Sequence, residues 1–532
     1  MQNQSLALGH LSTLASLLDE GLKARADEPA ILDLEETHSF RDLQRQAQAI
    51  AAFLSQEHQV VESDRVVVAV VKSPLIVSIA LACWMIGAVY VPVDPESPRH
   101  RTTTILESIR PAIVIGPQEL LSSWTDRLDS NARASYELLH SLATPDGPAA
   151  PCALDGQAPA VIIHTSGSTG IPKGVVLSHA SVLAYMRNHN EFLKFDHSGV
   201  GMNNSPFFFD VSIQDTFLPL FFGATVLFHR GLWASPIMIG LIQRYRVTHL
   251  IAVSSILKLI SSDTRRMRTL ATSSLRVVIT GAEVCPPRLI NFWLQTIPGL
   301  RVLYGYGPTE VNSLCTTHEI TQPEPGRTDI YPIGKPFRGH QAILLDEEHK
   351  VINGAGVVGT LAVGGPQVMI GYWKDPELTA RVTFVHEGVR YYITGDRCHR
   401  DIDGNYVFDG RLDTEVKIRG RRINLNEIRN ALVVRTDMEH AVVSVIQVGD
   451  ESRIVACVHI TYPDPEHGQI LRRWLADRVP EYMVPWYIAV FSQPPRTATD
   501  KLDERWMLET LQSFVVAQPG QRDFKVEPQD SI

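Results

Sequence analysis

The stretch His164–Thr165–Ser166–Gly167–Ser168–Thr169–Gly170–Ile171–Pro172–Lys173–Gly174 concentrates groups suited to holding phosphate. Its glycines let backbone N–H groups turn toward an anion with no Cβ in the way. Thr165, Ser166, Ser168 and Thr169 add hydroxyl donors, and Lys173 adds a compact positive charge. Ala160–Val161–Ile162–Ile163 leads in and Val175–Val176–Leu177 leads out, so the stretch reads as strand, exposed loop, strand. The ordinary P-loop requires four residues between its glycines and a GK[ST] ending that opens a helix, and this loop has neither. Taken alone, a Ser/Gly loop is equally a flexible connection.

Carboxylates recur where apolar runs end. Asp210 closes the aromatic run Phe207–Phe208–Phe209. Burying an unpaired acid there is costly, so it either meets a cation or N-caps the following helix. Val277 to Glu283 reads as a strand leaving the core, and Val302 to Glu310 repeats the pattern with Gly305 and Gly307 flanking Tyr306. Thr309 and Glu310 supply a hydroxyl and a carboxylate suited to phosphate and Mg²⁺. Tyr392 to Asp396 ends another strand in an acid, with Gly410–Arg411–Leu412–Asp413 beyond it. By composition, the basic cluster from Lys417 to Arg422 is a solvated face.

The elements that must position these groups follow an α/β rhythm. Apolar spacing is helical from Leu11 to Leu54, interrupted by a short strand at Ala30–Ile31–Leu32, and Ser39 with Asp42 forms a loose capping box. Val66 to Val71 is a buried strand. Ile76 to Val93 carries no charge and grazes the length of a membrane span, but Gly87 and Pro92 divide it into a buried helix, Leu75–Ile86, feeding a strand at Val89–Tyr90–Val91. Residues 129–158 read as a surface connection, Ser178 to Asn190 as a helix, Gly359 to Phe384 as strand-rich, and the polar stretch after Phe514 as linker.

At 532 residues, three or four compact units are expected. A net charge of -9 argues against a nucleic-acid surface, so an anionic substrate needs a local cationic site. Cysteines 83, 152, 285, 315, 398 and 457 show no CxxC and no pairing rhythm, as in a reducing compartment. The histidines form no HExxH, and Met1 to His10 lacks the basic start and apolar core of a signal peptide. The expectation is a cytoplasmic protein that engages neither nucleic acid nor membrane.

Several stretches together resemble the adenylate-forming enzymes: acyl-CoA synthetases, luciferases and the adenylation domains of nonribosomal peptide synthetases. They are TSGSTGIPKG at 165–174, Gly87 to Pro95, the unchanged YGPTE of Tyr306 to Glu310, Gly371–Tyr372, Tyr392 to Asp396, and Val479 to Pro485. The resemblance spans about Leu11 to Arg505. It departs from the family pattern at Tyr304, at Asn424 to Ile428, and at Thr499–Asp500–Lys501–Leu502–Asp503, which keeps the lysine and loses a glycine.

The resemblance implies an α/β fold. A large N-terminal core, 1–412, has sheets layered with helices and a small β-barrel-like part. A small mobile α+β domain, 413–514, hinges at Asp413 and carries the catalytic Lys501, and 515–532 is linker. It further implies that Thr165, Ser166, Gly167, Ser168, Thr169, Gly170 and Lys173 hold the β- and γ-phosphates of ATP, that Glu310 holds Mg²⁺, and that Thr309 reaches the α-phosphate. Tyr306 would stack on adenine, Asp396 accept the ribose hydroxyls with help from Arg411, Phe408 pack near the nucleoside, and Lys501 neutralise the α-phosphate. Asp210 matches the acid that grips a substrate's α-ammonium in peptide-synthetase domains, which implies amino-acid activation followed by transfer to a phosphopantetheine thiol. The partner would be a peptidyl carrier protein on a separate or excised domain, with a condensation domain of the same synthetase beyond it. Val211, Gln214, Ile251, Ile279, Gly281, Gly305, Ser313 and Leu314 would line the side-chain pocket. The small Gly281, Gly305 and Ser313 suggest room for a large amino acid with a polar end, such as an aromatic with a heteroatom or a siderophore-type Nδ-acylated hydroxyornithine, in preference to Gly, Ala or Val, unless neighbours such as Tyr304 fill the space. An acyl- or aryl-CoA ligase and a non-catalytic nucleotide-binding regulator stand as alternatives.

Overall fold

The apolar runs become strands of two large sheets. One runs Lys335–Pro336, Thr316–Ile320, Arg301–Tyr306, Val277–Gly281, His249–Ile251, Val200–Asn203, Thr225–Phe228, Pro29–Leu32, Thr37–Ser39 from edge to edge. Its interior pairs are parallel, from Arg301–Tyr306 across to Pro29–Leu32, and the strands at the two edges are antiparallel. The other runs Gly371–Tyr372, Lys173–Ser178, Pro159–Thr165, Val89–Pro92, Arg65–Val68, Ile113–Gly116, Arg133–Ser135. Strands such as Val89–Pro92 and Ile113–Gly116 are buried at every residue, the signature of parallel strands covered on both faces.

This computed structural model describes residues 13–34, 36–124, 132–143, 154–166, 172–411, 415–435, 438, 440–449, 451–460, 463–464, 466–494, 502–518 and 520–526. The chain divides into two compact units: Met1–Pro95, Ile109–His164 and Gly174–Leu412 form one, and Glu96–Ser108, Thr165–Lys173 and Asp413–Ile532 the other. Length alone suggests three or four. In the first unit, however, a third, six-stranded sheet built on Gly359–Gly364 and Val389–Arg400 contributes Leu361, Tyr392 and Cys398 to the same apolar core as the two large sheets.

The uncharged stretch is a core helix, Pro74–Met85, followed by the strand Val89–Pro92. Trp84 ties this helix to a sheet and to the helical turn Ile213–Phe217: its indole N–H donates to Ala160 O at 3.0 Å while its ring meets Phe217 edge-on at 5.1 Å. Upstream, the helix Phe40–Ala52 carries the full capping box, with Ser39 accepting from the Asp42 N–H and Asp42 accepting from the Ser39 N–H. Among the described residues no helix is long and apolar enough to cross a membrane. The five described cysteines are buried free thiols.

The second unit is built on the sheet His440–Val448, Glu451–His459, Tyr487–Phe491, Asp523–Val526. Helices Leu425–Val433 and His467–Ala476 cover one face, and Glu504–Ala517 covers the other. Three expectations are corrected. The stretch after Phe514 is not linker as far as residue 526, because Phe524 and Val526 alternate inward from a strand parallel to Tyr487–Phe491. Within 129–158, Arg133–Ser135 is a strand beside Ile113–Gly116 and Tyr136–Leu139 a short helix. A division at 412 also leaves out two pieces that group with 413–532. In that unit Arg101 pairs with the buried Glu427, and Ser166 Oγ donates to Arg422 O at 3.1 Å while accepting the Asn424 N–H at 3.2 Å.

Three histidines of the first unit are buried, and loss of water lowers each imidazole: His179 to about 4, His189 to about 3, His249 to about 4. Their neutral burial contributes its full stability above the ordinary imidazole pKa near 6.5. That contribution is lost as pH falls toward 4, because the unfolded ring takes a proton that the folded one refuses, at about 1.4 kcal/mol per pH unit for each ring. His179→Gln keeps an acceptor for the Leu14 N–H that Nδ1 now receives at 3.1 Å. It should flatten the fall in Tm between pH 6.5 and 4.5, and an unchanged slope would refute the assignment.

Candidate nucleotide and substrate site

Strands Val277–Gly281 and Arg301–Tyr306 run parallel with Gly281 beside Gly305, and the chain emerges from their C-terminal ends. In open α/β sheets ligands sit beyond such ends. Tyr306 is buried, and its hydroxyl donates to Asp396 Oδ2, while Arg411 donates to Oδ1 from the neighbouring strand, where it faces Asp396 in register. Burial and then the Asp396 charge hold the Tyr306 hydroxyl protonated, well above its usual range. Asp396 is 1% exposed and therefore depends on these two donors, as a buried charge must. Half-buried Phe408 lies on the Arg411 strand, opposite Cys398.

Past Tyr306 the chain makes a short turn, Thr309–Val311, in which Thr309 is half-buried and Glu310 is buried. Tyr372 Oη donates to Glu310 Oε1 at 2.7 Å, and the Met369 N–H donates to Glu310 O at 2.8 Å. Gln367, fully buried, braces the end of this turn: Nε2 donates to Val311 O at 3.1 Å and to Leu314 O at 2.8 Å. Between those carbonyls Asn312 and Ser313 both adopt left-handed φ, 61° and 72°, which is unusual for side-chain-bearing residues and held here by the brace.

Beside the strand Val200–Asn203, Asp215 is wholly buried. It accepts from Asn203 Nδ2 at 2.7 Å, the Asn204 and Ser205 N–H groups at 3.0 and 2.8 Å, and Thr216 Oγ1 at 2.9 Å. Burial raises its pKa, opposed by the Lys72 charge and by these bonds. Lys72 is in turn lowered to about 8 by loss of water. The carboxylate thus fastens the end of strand Val200–Asn203 to the π-helical turn Ile213–Phe217. One turn earlier stand half-buried Asp210 and Val211.

Tyr185, buried on the helix His179–Leu193, gathers several of the predicted pocket residues. Its hydroxyl lies 3.0 Å from His189 Nδ1; burial raises it well above the usual phenol range, with Ser313 opposing and the Asp210 charge adding to that shift. Gln214 Nε2 approaches the same His189 nitrogen at 3.3 Å. Ile251 and Ile279 are buried register partners on neighbouring strands, and Asn204 Nδ2 donates to Ile251 O at 3.0 Å.

The small residues have another cause than an open pocket. A Cβ on Gly281 would lie 2.2 Å from Gly305 O, and one on Gly305 would lie 2.6 Å from Leu314 Cδ1. Close backbone approach and the Leu314 side chain, not an empty cavity, account for both glycines. Tyr304 turns its hydroxyl toward the Cys285 N–H at 3.4 Å. The inference of a large substrate from these glycines is therefore withdrawn, while the polar character of Gln214 and Ser313 stands.

In the second unit Thr165 and Lys173 are half-buried strand ends, and Ser166 spends its hydroxyl on the backbone of Arg422 and Asn424. Gly167, Ser168, Thr169, Gly170, Asp413 and Lys501 lie outside the described residues. The sequence reading missed Tyr185, His189, Asp215 and Gln367. Only the i,i+4 spacing of Tyr185 and His189 on one helix face gave a signal.

Residues 18–373 match the family described as AMP-binding enzyme. The chain belongs to that family. This AMP-binding enzyme is 31% identical over 514 residues to tyrocidine synthase 3 of Brevibacillus parabrevis, covering 94% of this chain and 8% of the synthase. It is 29% identical over 487 residues to the L-proline–[L-prolyl-carrier protein] ligase of Pseudomonas fluorescens, covering 90% of this chain and 95% of the ligase. The chain spans 6% to 14% of the length of the peptide synthases and synthetases it first matches. Its fold is that of an artificially fused adenylation–PCP di-domain from Klebsiella oxytoca, with a TM-score of 0.78, 23% identity, and 95% of this chain and 96% of that one covered. The o-succinylbenzoate CoA synthetase of Bacillus subtilis shares it too, with a TM-score of 0.80, 20% identity, and 93% and 98% covered.

The glycine assignment is testable by urea unfolding. Gly281→Ala presses on a carbonyl and should cost about 1–3 kcal/mol, whereas Gly305→Ala presses on a side chain that can rotate and should cost less. The reverse order would restore the open pocket.

Proposed function

We propose that the chain uses ATP to activate an amino acid as its adenylate and passes the aminoacyl group to the phosphopantetheine thiol of a peptidyl carrier protein. The carboxylate oxygen of the amino acid attacks the α-phosphorus and pyrophosphate leaves; the thiol sulfur then attacks the acyl carbon and AMP leaves. Joining two anions is mainly an electrostatic task, met by positioned cations. The observation that carries this reading is the meeting of Tyr185 Oη and Gln214 Nε2 at His189 Nδ1, with Asp210 near enough for its charge to act on Tyr185 and with Ile251 and Ile279 on adjoining strands. A half-buried acid in that setting suits an α-ammonium. The peptide synthases and carrier-protein ligase among the relatives support the same reading.

At the nucleotide end Asp396 accepts one donor on each oxygen, and a carboxylate has lone-pair capacity for more, so ribose hydroxyls can add to Tyr306 and Arg411. Tyr306 and Phe408 supply rings for the base. Glu310 fits Mg²⁺, which is usually held by one or two carboxylates together with substrate phosphates. Bound there, the ion would neutralise phosphate charge. Thr309 and Lys173 would donate to phosphate oxygens, Lys501 would serve the α-phosphate during adenylation, and the 413–526 segment would rotate about Asp413 between the two half-reactions. A condensation domain acting on the loaded carrier belongs to the same proposal.

Amino-acid-dependent ATP–pyrophosphate exchange tests it. Asp210→Ala should weaken activation by roughly 2–4 kcal/mol, the range for breaking a desolvated charge pair, with ATP affinity kept. If desamino analogues are activated as well as the amino acid by the unmutated protein, a CoA-type ligase replaces this reading. Lys501→Ala should abolish exchange yet leave carrier loading from a supplied aminoacyl-adenylate largely intact. Equal loss of both half-reactions would exclude the two-state scheme.

A further inference from the structure

We propose that Tyr185 and His189 position Gln214 so that the side-chain pocket presents a hydrogen-bond acceptor, selecting an amino acid whose side chain ends in an N–H or O–H donor. The proposal rests on the amino-acid reading above and narrows it to a substrate class.

Tyr185 and His189 lie one turn apart on the helix His179–Leu193, and both are fully buried. His189 Nδ1 is met by two groups, Tyr185 Oη at 3.0 Å and Gln214 Nε2 at 3.3 Å. An amide nitrogen only donates, so Nδ1 is the acceptor and the ring proton sits on Nε2. Loss of water lowers this imidazole to about 3, so the ring stays neutral, and Nδ1 stays an acceptor, throughout the physiological range. The ring cannot readily turn over. It stacks on Phe337 with centroids 5.1 Å apart and lies tilted against Tyr185 at 5.3 Å, and the Phe337 N–H is anchored on Cys315 O at 3.0 Å.

With one N–H given to His189, the Gln214 amide keeps its second N–H and Oε1, and no described residue donates to the oxygen. That oxygen is not among the sealed, partnerless atoms of the core, although Gln214 is only 2% exposed. Gln214 follows Asp210 by four residues and therefore lies one turn further along the segment that carries the candidate α-ammonium ligand. A substrate held at Asp210 would then reach toward Oε1 with its side chain. A site built around a hydrogen bond discriminates strongly against an analogue that lacks the matching group, because its own buried partner is left unsatisfied.

The test is pyrophosphate exchange on the full chain with isosteric pairs: threonine and valine, tyrosine and phenylalanine, tryptophan and benzothienylalanine. In the pair containing the best substrate, the donor-bearing member should lead by about 100-fold or more in kcat/KM. His189→Phe preserves the stacking on Phe337 and removes the acceptor, and should cut that ratio below about 10-fold with the KM for ATP unchanged. His189→Asn loses the stacking but places an amide oxygen where Nδ1 was, and should keep the ratio. A purely structural role predicts the opposite order for these two variants. A wild-type preference for the donor-free member, or a ratio that survives in His189→Phe and falls in His189→Asn, overturns the proposal. If neither variant folds, the wild-type ratio decides alone. If amine-free acids are activated and amino acids are not, the amino-acid reading falls, and the same donor-to-isostere ratio measured among those acids still decides the acceptor separately.

Discussion

The turn that carries Asp210 and Gln214 depends on burying one carboxylate. Asp215 has no exposed surface, and an acid in that position is tolerated only when its lone pairs are filled. Four donors fill them, from Asn203, Asn204, Ser205 and Thr216. Three of the four sit where strand Val200–Asn203 gives way to the aromatic run, so the route of the chain into Phe207–Asp210 is set by the geometry of one acceptor. The same residue belongs to the π-helical turn Ile213–Phe217. The extra residue per turn found in such segments often marks a functional site, and here it falls on the turn that carries Gln214.

A second carboxylate does the corresponding work at the proposed nucleotide end. Asp396 belongs to the six-stranded sheet and Tyr306 to the nine-stranded one, so the bond between them joins two layers of the same unit. Arg411, facing Asp396 across the strand pair, supplies the charge that makes this burial tolerable. The two acids differ in kind. Asp215 has four donors and serves the backbone, whereas Asp396 has one side-chain donor on each oxygen and keeps lone-pair capacity for a ligand.

The sequence was most legible where chemistry is local. The capping box at Ser39 and Asp42, the buried helix before Val89, and the strand that ends at Tyr306 depend on spacing along the chain, and they appear as read, whereas the strand expected to end at Asp396 runs on to Arg400. The features that were not legible depend on contacts between distant segments. Gly281 and Gly305 read as space because glycine is small, but their size answers to Gly305 O and Leu314 Cδ1, which no periodicity reveals. The strand Asp523–Val526 was hidden in a polar stretch because only Phe524 and Val526 face inward, and two residues make too short a pattern to separate from linker. Asp215, five residues past Asp210, carries no spacing signal, because its four donors come from both sides of the aromatic run.

The buried polar cluster also bears on how this chain can differ from its relatives without a change of fold. Tyr185 and His189 occupy a helix whose neighbours Val182, Met186 and Leu193 are ordinary core residues, so the site would accept apolar side chains of similar volume at small packing cost. Polar groups there are expensive unless satisfied, and His189 Nε2 has no partner among the described residues. Retaining an imbalance of that kind in the core requires a return elsewhere. Beyond itself the cluster orients the Gln214 amide, which argues that the return is taken in selectivity. Stability gives no reason to keep it, since an all-apolar version of the same layer would hold the helix at least as well.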